Sequence, residues 1–335
     1  MVAEGLERVA LPEPLRLSSG ARLEKACLAF RSWGERRSDN TLVLLHGLSR
    51  SPAAQQDGAA PGRSTGGWAN ALFGAGRPFD PGRYHVVCPN LLGSPFGSTS
   101  AASPEWRDRP FPELSVTDQA DAVAAFLQAQ GHEKVRAVVG FSLGGTVALA
   151  LAARHPGLVR AVATLGGPAL LPAAARRRLG LVATMLLADP EYRGDGQGPG
   201  AARALRRVRV ALLRDLYPRD YSLMRGGAFE SERLLDAEAE QFTREFDARC
   251  YLTLCRAMAS ADLTGDLAAV KARCLVAACS TDPLATSTAM QDTYHSLTAA
   301  GVRTRYFEIA ADGGHHAFYK EPESLAFPLH DLISD

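Results

Sequence analysis

The 335-residue chain has no uninterrupted apolar stretch near the roughly 20 residues that a membrane-spanning helix requires. Residues 1–17 mix acidic, basic and proline residues and lack the apolar run of about 7–15 residues that marks a secretory signal. An excess of one charge is missing as well. Lys+Arg number 37 against 36 Asp+Glu, a formal charge of +1, so no net field steers the chain toward nucleic acid or an anionic membrane. The six cysteines form no CxxC pair, and several lie in apolar runs where Cys behaves as a small hydrophobe. Free buried thiols, no metal centre and a cytoplasmic location are therefore expected, with neither nucleic acid nor membrane as partner.

What is present is the composition of an ordinary globular chain, 46% hydrophobic and 22% charged, long enough for one large domain with an elaboration. Short apolar runs rich in Val and Leu at 41–45, 84–88, 135–140, 159–165, 274–279 and 304–309 read as parallel strands buried on both faces. Helix-period patterns at 117–130 and 143–155 fall between them, the alternation of a doubly wound, mostly parallel α/β sheet. The pieces around Leu15 and 23–30 read as edge strands. After Gly167 the rhythm breaks, and the chain to Leu267 reads as helices in which Arg176, Arg177, Arg178, Arg203, Arg206, Arg207, Arg209 and Arg214 cluster. The expected organisation is a core domain of 1–170 and 267–335 with a helical lid inserted at 171–266. Within the lid, glycine-rich 193–201 predicts a loop.

Gly140-Phe141-Ser142-Leu143-Gly144 lies where the 135–140 strand gives way to a helix. A strand turning sharply into a helix strains its central residue, and only glycine fits on either side; the serine hydroxyl is thereby held above the sheet. This is the pattern of the α/β-hydrolase fold, which presents a serine nucleophile, then an acid, then a histidine in chain order. Asp282, in Ser280-Thr281-Asp282-Pro283 just after a strand, is the candidate acid. Asp312 lies too near in sequence to reach the ring of His315 comfortably. His315, in Gly313-Gly314-His315-His316-Ala317-Phe318, is the candidate base, with His316 competing. The N–H of Leu143, first in the helix, and that of Leu48, in Leu44-Leu45-His46-Gly47-Leu48, are the expected oxyanion donors. His46 reads as shaping that loop, and His85 and His132 as structural.

With these residues placed, the chain resembles the homoserine O-acetyltransferase family from about Asn40 to Phe318. The resemblance is carried by Gly67-Trp68 with Gly74-Ala75-Gly76-Arg77-Pro78, by Tyr84-His85-Val86-Val87-Cys88-Pro89-Asn90-Leu91-Leu92-Gly93, and by Gly97-Ser98-Thr99. In the lid it rests on Ala188-Asp189-Pro190, Phe246-Asp247-Ala248, Tyr251-Leu252 and Arg256-Ala257-Met258. It implies an acyl-serine on Ser142 formed from acetyl-CoA or succinyl-CoA as co-substrate, with no permanently bound cofactor. A small alcohol such as homoserine or serine would be the acceptor, Arg209 would face its carboxylate, and two copies would join through the lid. The arginine cluster, Arg209 included, reads equally as a solvated helix face.

The chain also departs from the family. His316 stands where the family has an acidic residue facing the acceptor's ammonium, Phe141 stands where a small residue is usual, and Leu216, beside Tyr217, occupies a tyrosine position. These changes gather on the acceptor side and point to the same chemistry on another alcohol. An esterase or thioesterase with water as acceptor is the rival reading. A catalytically dead binding protein is disfavoured by the intact Ser142, Asp282 and His315.

Overall fold

Eight strands pair in one sheet in a computed structural model of the chain, which describes residues 5–56, 66–192, 196–216 and 227–334. They are β1 (Glu7–Ala10), β4 (Cys27–Trp33), β5 (Thr41–Leu45), β6 (His85–Pro89), β7 (Val135–Phe141), β8 (Val159–Leu165), β9 (Arg273–Cys279) and β10 (Thr304–Ile309), in the order β1-β4-β6-β5-β7-β8-β9-β10. β1, β4 and β6 pair antiparallel at one edge, and every pairing from β6 to β10 is parallel. β2 (Leu15–Arg16) and β3 (Arg22–Leu23) form a separate antiparallel ribbon.

The central strands are Val-, Leu- and Ala-rich because helices cover both faces. On one face lie α1 (Val116–Ala129) and α2 (Leu143–Arg154), with Phe126, Leu127, Val147 and Leu151 in the core. On the other, Leu42, Leu44, Val86, Val139 and Leu275 pack against Trp68, Phe79 and Leu329. α1 starts where a capping box is written into the sequence. Ser115 Oγ accepts from the Asp118 N–H at 3.0 Å, and the Asp118 carboxylate accepts from the Ser115 N–H at 2.8 Å.

Register aligns the strand ends. Leu45 pairs with Gly140, Phe141 with Leu165, Leu165 with Ala277 and Cys279 with Ile309. The loops after β5, β7, β9 and β10 therefore leave from one edge, where ligands bind in open α/β sheets. Between β8 and β9 the described residues hold α3 (Ala173–Ala188), α4 (Gly198–Leu216), α5 (Gly227–Glu245) and α6 (Ala248–Ala259). α7 (Ser287–Ala299) follows β9 and carries the chain back to β10. Among the described residues, no helix is long and apolar enough to cross a membrane.

The sheet agrees with the expected parallel α/β architecture, with local corrections. The strand expected at 84–88 runs one residue later, because the Tyr84 N–H closes a turn onto the Asp80 carbonyl at 2.8 Å. The 23–30 segment divides between β3 and β4. β10 pairs only with β9 and is largely half-buried, so it is an edge strand and not one covered on both faces. β1 carries mostly exposed residues and offers no apolar alternation to read. Within the loop expected at 193–201, residues 193–195 lie outside the described residues, while α4 already begins at Gly198. Pro199 is tolerated there because a first-turn N–H has no helical acceptor to lose.

Candidate active site

Ser142 sits between β7 and α2 with φ 53° and ψ −120°, a left-handed φ that a non-glycine residue holds only under constraint. The constraint comes from its neighbours. Its N–H donates to the Leu165 carbonyl of β8 at 2.8 Å, and its own carbonyl accepts from the N–H groups of Gly145 and Thr146 at 2.8 and 3.1 Å. A Cβ at Gly140 would lie 2.0 Å from the Gly144 carbonyl oxygen, and one at Gly144 would lie 2.1 Å from the Leu45 carbonyl oxygen. Both glycines are therefore required by close approach, since strand, turn and helix N-terminus press together there.

His315 reaches this serine from the loop after β10. Its Nε2 lies 2.7 Å from Ser142 Oγ, and its Nδ1 lies 2.6 Å from Asp282 Oδ2. Nδ1–H donates to the carboxylate, which leaves Nε2 to accept the serine proton. The other carboxylate oxygen of Asp282 accepts from the Leu284 and Ala285 N–H groups at 2.8 and 2.9 Å, so the acid cannot rotate away. Thr281 ties the two loops together: its Oγ1 donates to the Ala311 carbonyl at 2.5 Å and accepts from the Gly314 N–H at 3.1 Å. The competition between neighbouring histidines is resolved by this geometry, because His315 holds both contacts. Asp312 is exposed.

Ser142, His315, His316, Leu48, Phe141 and Arg209 line one cavity of about 40 Å³, with Tyr251 and Tyr319. Leu143 is fully buried at the start of α2, where its N–H has no intrahelical acceptor. α3 and α4 cover the cavity through Leu179, Leu212 and Leu216. Tyr217 lies outside the described residues.

The arginines of α4 divide in two. Arg203, Arg207 and Arg214 pair at the surface with Glu191, Asp189 and Glu232, and Arg206 pairs with Asp236. Arg209 turns inward instead and is 3% exposed. Its guanidinium lies 3.5 Å from Glu238, 3.5 Å from the Tyr251 hydroxyl and 4.7 Å above the Phe242 ring. Burial, reinforced by Arg50, holds the His316 pKa well below its ordinary value, so its imidazole is neutral at physiological pH. Arg50 was not singled out in the sequence. It is buried with its guanidinium 4.4 Å from the Tyr319 ring centroid, and an arginine in a short polar loop carries no periodicity that would announce this. His85 and His132 stack on each other with ring centroids 6.1 Å apart and do not line the cavity.

A serine on a strained strand-to-helix turn, bonded to a histidine that is bonded to a buried carboxylate, defines an α/β hydrolase with a serine–histidine–aspartate constellation. The family model described as alpha/beta hydrolase fold matches residues 40–322. A serine O-succinyltransferase of Litchfieldella anticariensis is 33% identical, covering 95% of this chain and 95% of its own. An L-serine/homoserine O-acetyltransferase of Streptomyces lavendulae is 32% identical, covering 97% and 96%. The crystal structure of homoserine O-acetyltransferase from Bacillus anthracis superposes with a TM-score of 0.87 over 98% of this chain and 97% of that one, at 18% identity. The chain belongs to the α/β-hydrolase-fold family and, within it, to the homoserine O-acetyltransferase family of O-acyltransferases.

His46 holds the loop that carries Leu48. It is fully buried; its Nε2 accepts from the Leu91 N–H at 3.1 Å, which leaves Nδ1–H to donate to the Gly47 carbonyl at 2.9 Å. Burial lowers its pKa to about 4. The unfolded chain, with an ordinary histidine, binds this proton from about pH 6.5 downward, so the stability His46 confers is complete above that pH and is lost as pH falls toward 4. The expected loss over that window is about 3 kcal/mol. Urea unfolding at pH 7 and pH 4.5 should show His46→Gln losing less stability than wild type over that interval; equal losses would contradict the assignment.

Proposed function

We propose that the chain transfers an acetyl or succinyl group from its CoA thioester to the hydroxyl of homoserine, serine or a related small alcohol, through an acyl-serine on Ser142. The observation that carries this reading is the hydrogen-bonded chain Ser142–His315–Asp282 enclosed beneath helices that leave a cavity of only about 40 Å³. His315 Nε2 takes the proton as Ser142 Oγ bonds to the thioester carbonyl carbon, and the backbone N–H groups of Leu48 and Leu143 hold the resulting oxyanion. The C–S bond breaks, and His315 returns the proton to the departing thiolate. The acceptor hydroxyl then loses its proton to His315, attacks the acyl carbon and releases Ser142.

Hydrolysis competes at the acyl-serine, so transfer depends on keeping water scarce there. In this reading residues 171–266 act as the lid, and the buried serine and small cavity support that role. CoA thioesters and the free cysteines among the described residues both fit a cytoplasmic setting. On α3, Leu181 and Leu187 are 58% and 54% exposed, which supports a homodimer joined through the lid. Sedimentation should then give a dimer for wild type and a monomer for Leu181→Glu; a monomeric wild type would contradict this.

Arg209 is the group assigned to the acceptor's carboxylate, which guanidinium can hold in a two-point contact. His316, buried and neutral, brings no negative charge to the ammonium of homoserine or serine, which favours a related alcohol without one. Free CoA release from acetyl-CoA and succinyl-CoA, followed with and without each alcohol, tests both points. The expected result is release that depends on an alcohol, with homoserine and serine at least tenfold better relative to alcohols lacking an ammonium in His316→Asp. Release that ignores the alcohol would identify a thioesterase, and an unchanged acceptor profile would remove His316 from acceptor selection.

A further inference from the structure

Directly behind the active-site cavity lies a second, smaller one of about 10 Å³, faced by Trp68, Leu72, Phe79, Val139, Leu165 and Phe318. The two differ in chemistry. The first holds Arg209, His315 and His316, whereas the second has no charged side chain or histidine and is faced by apolar and aromatic side chains, Tyr319 among them. A space of that size has room for about one water, and its walls are mostly hydrocarbon, with the Trp68 indole N–H already donating to the Ser51 carbonyl at 3.0 Å.

Two residues line both cavities, Phe141 and Tyr319. Their rings are 4.0 Å apart between centroids, and the Phe141 ring also lies 5.4 Å from His315 and 5.5 Å from Phe318. Gly47 completes the partition: a Cβ there would lie 2.9 Å from the Phe141 ring and 3.0 Å from the Tyr319 hydroxyl oxygen. The bare backbone of Gly47 is thus what lets both rings close against the loop that carries Leu48. Phe141 is fixed beside the nucleophile because it is the residue before Ser142, at the end of β7.

We propose that Phe141 limits the length of the acyl group carried by Ser142, and that the apolar cavity behind it is a sealed extension of the acyl site. It would take a straight alkyl chain once the ring is cut back. The inference rests on the acyl-serine reading and adds to it the class of donor: short acyl groups in the natural chain, linear fatty acyl groups when position 141 is small. A carboxylate-ended chain gains nothing from the extension, because no charged side chain faces it to offset the desolvation of the carboxylate.

Acylation by p-nitrophenyl acetate, butyrate, hexanoate and octanoate tests this on the full chain without any need for CoA or an alcohol. Ser142 Oγ bonds to the ester carbonyl carbon, the bond to p-nitrophenolate breaks, the serine proton passes to His315, and water later returns Ser142. Each buried methylene is worth about fourfold in rate, so three or more compound to well over tenfold. The expected result is a steep fall in kcat/KM beyond butyrate in wild type, and a hexanoate-to-acetate ratio raised at least tenfold in Phe141→Ala. Phe141→Leu should fall between, and it decides the matter if the alanine variant fails to melt cooperatively. Unchanged chain-length profiles in folded variants, or a wild type that uses octanoate as readily as acetate, would overturn the inference alone. Failure of every ester to acylate Ser142 would overturn the acyl-serine reading, and this inference with it.

Discussion

The left-handed backbone of Ser142 is the constraint on which the site depends. Conformations of this kind cost about 1–3 kcal/mol and persist only where the surroundings overdetermine them. Here β8 supplies the acceptor for the Ser142 N–H, and the first turn of α2 supplies donors for its carbonyl. Gly140 and Gly144 let β7, α2 and the end of β5 come within contact of one another. Bringing β5 this close is also what places the 46–48 loop, and with it the Leu48 backbone, beside the serine. Strain at one residue is thus held by the best-packed part of the sheet, with α2 buried along almost its whole length.

A second layer of order surrounds the elbow. Asp282 is held by two backbone N–H groups, Thr281 joins its loop to that of His315, and His46 fastens the loop opposite. Ser142, His315 and Asp282 are therefore set by contacts of the sheet and the loops at its edge. The helices between β8 and β9 add Arg209 from α4 and Tyr251 from α6 to the cavity wall. In the proposed reaction this division lets the acceptor side change while the Ser142–His315–Asp282 chain stays as it is. His316, Phe141 and Leu216, the three departures from the family pattern, are all on the cavity wall.

How much of this was legible in the sequence follows from the physics of each signal. The parallel strands were readable because burial on both faces enforces unbroken apolar runs, and Ser142 was readable because the elbow forces glycine on both sides. β1 was not, since it is mostly exposed, and β10 was readable as a strand at 304–309 but not as a half-exposed edge. That His315 and not His316 bonds to the serine needed coordinates, because both lie in one 3-10 turn and differ only in direction. The arginines were ambiguous for a related reason. Arg206, Arg207 and Arg209 share a helix, and only packing separates the exposed members, paired with carboxylates, from the one turned inward. Arg50 carried no signal, as its burial follows from the folding of a loop against Tyr319.

The most direct measurement is the mass of the intact protein after brief mixing with acetyl-CoA or succinyl-CoA, with Ser142→Ala as control, before and after adding an alcohol. The account predicts one acyl group added to the wild-type protein, none on the variant, and prompt discharge of that group by an alcohol but slow discharge by water. An adduct that water removes as fast as any alcohol, or one that forms equally on Ser142→Ala, would contradict it.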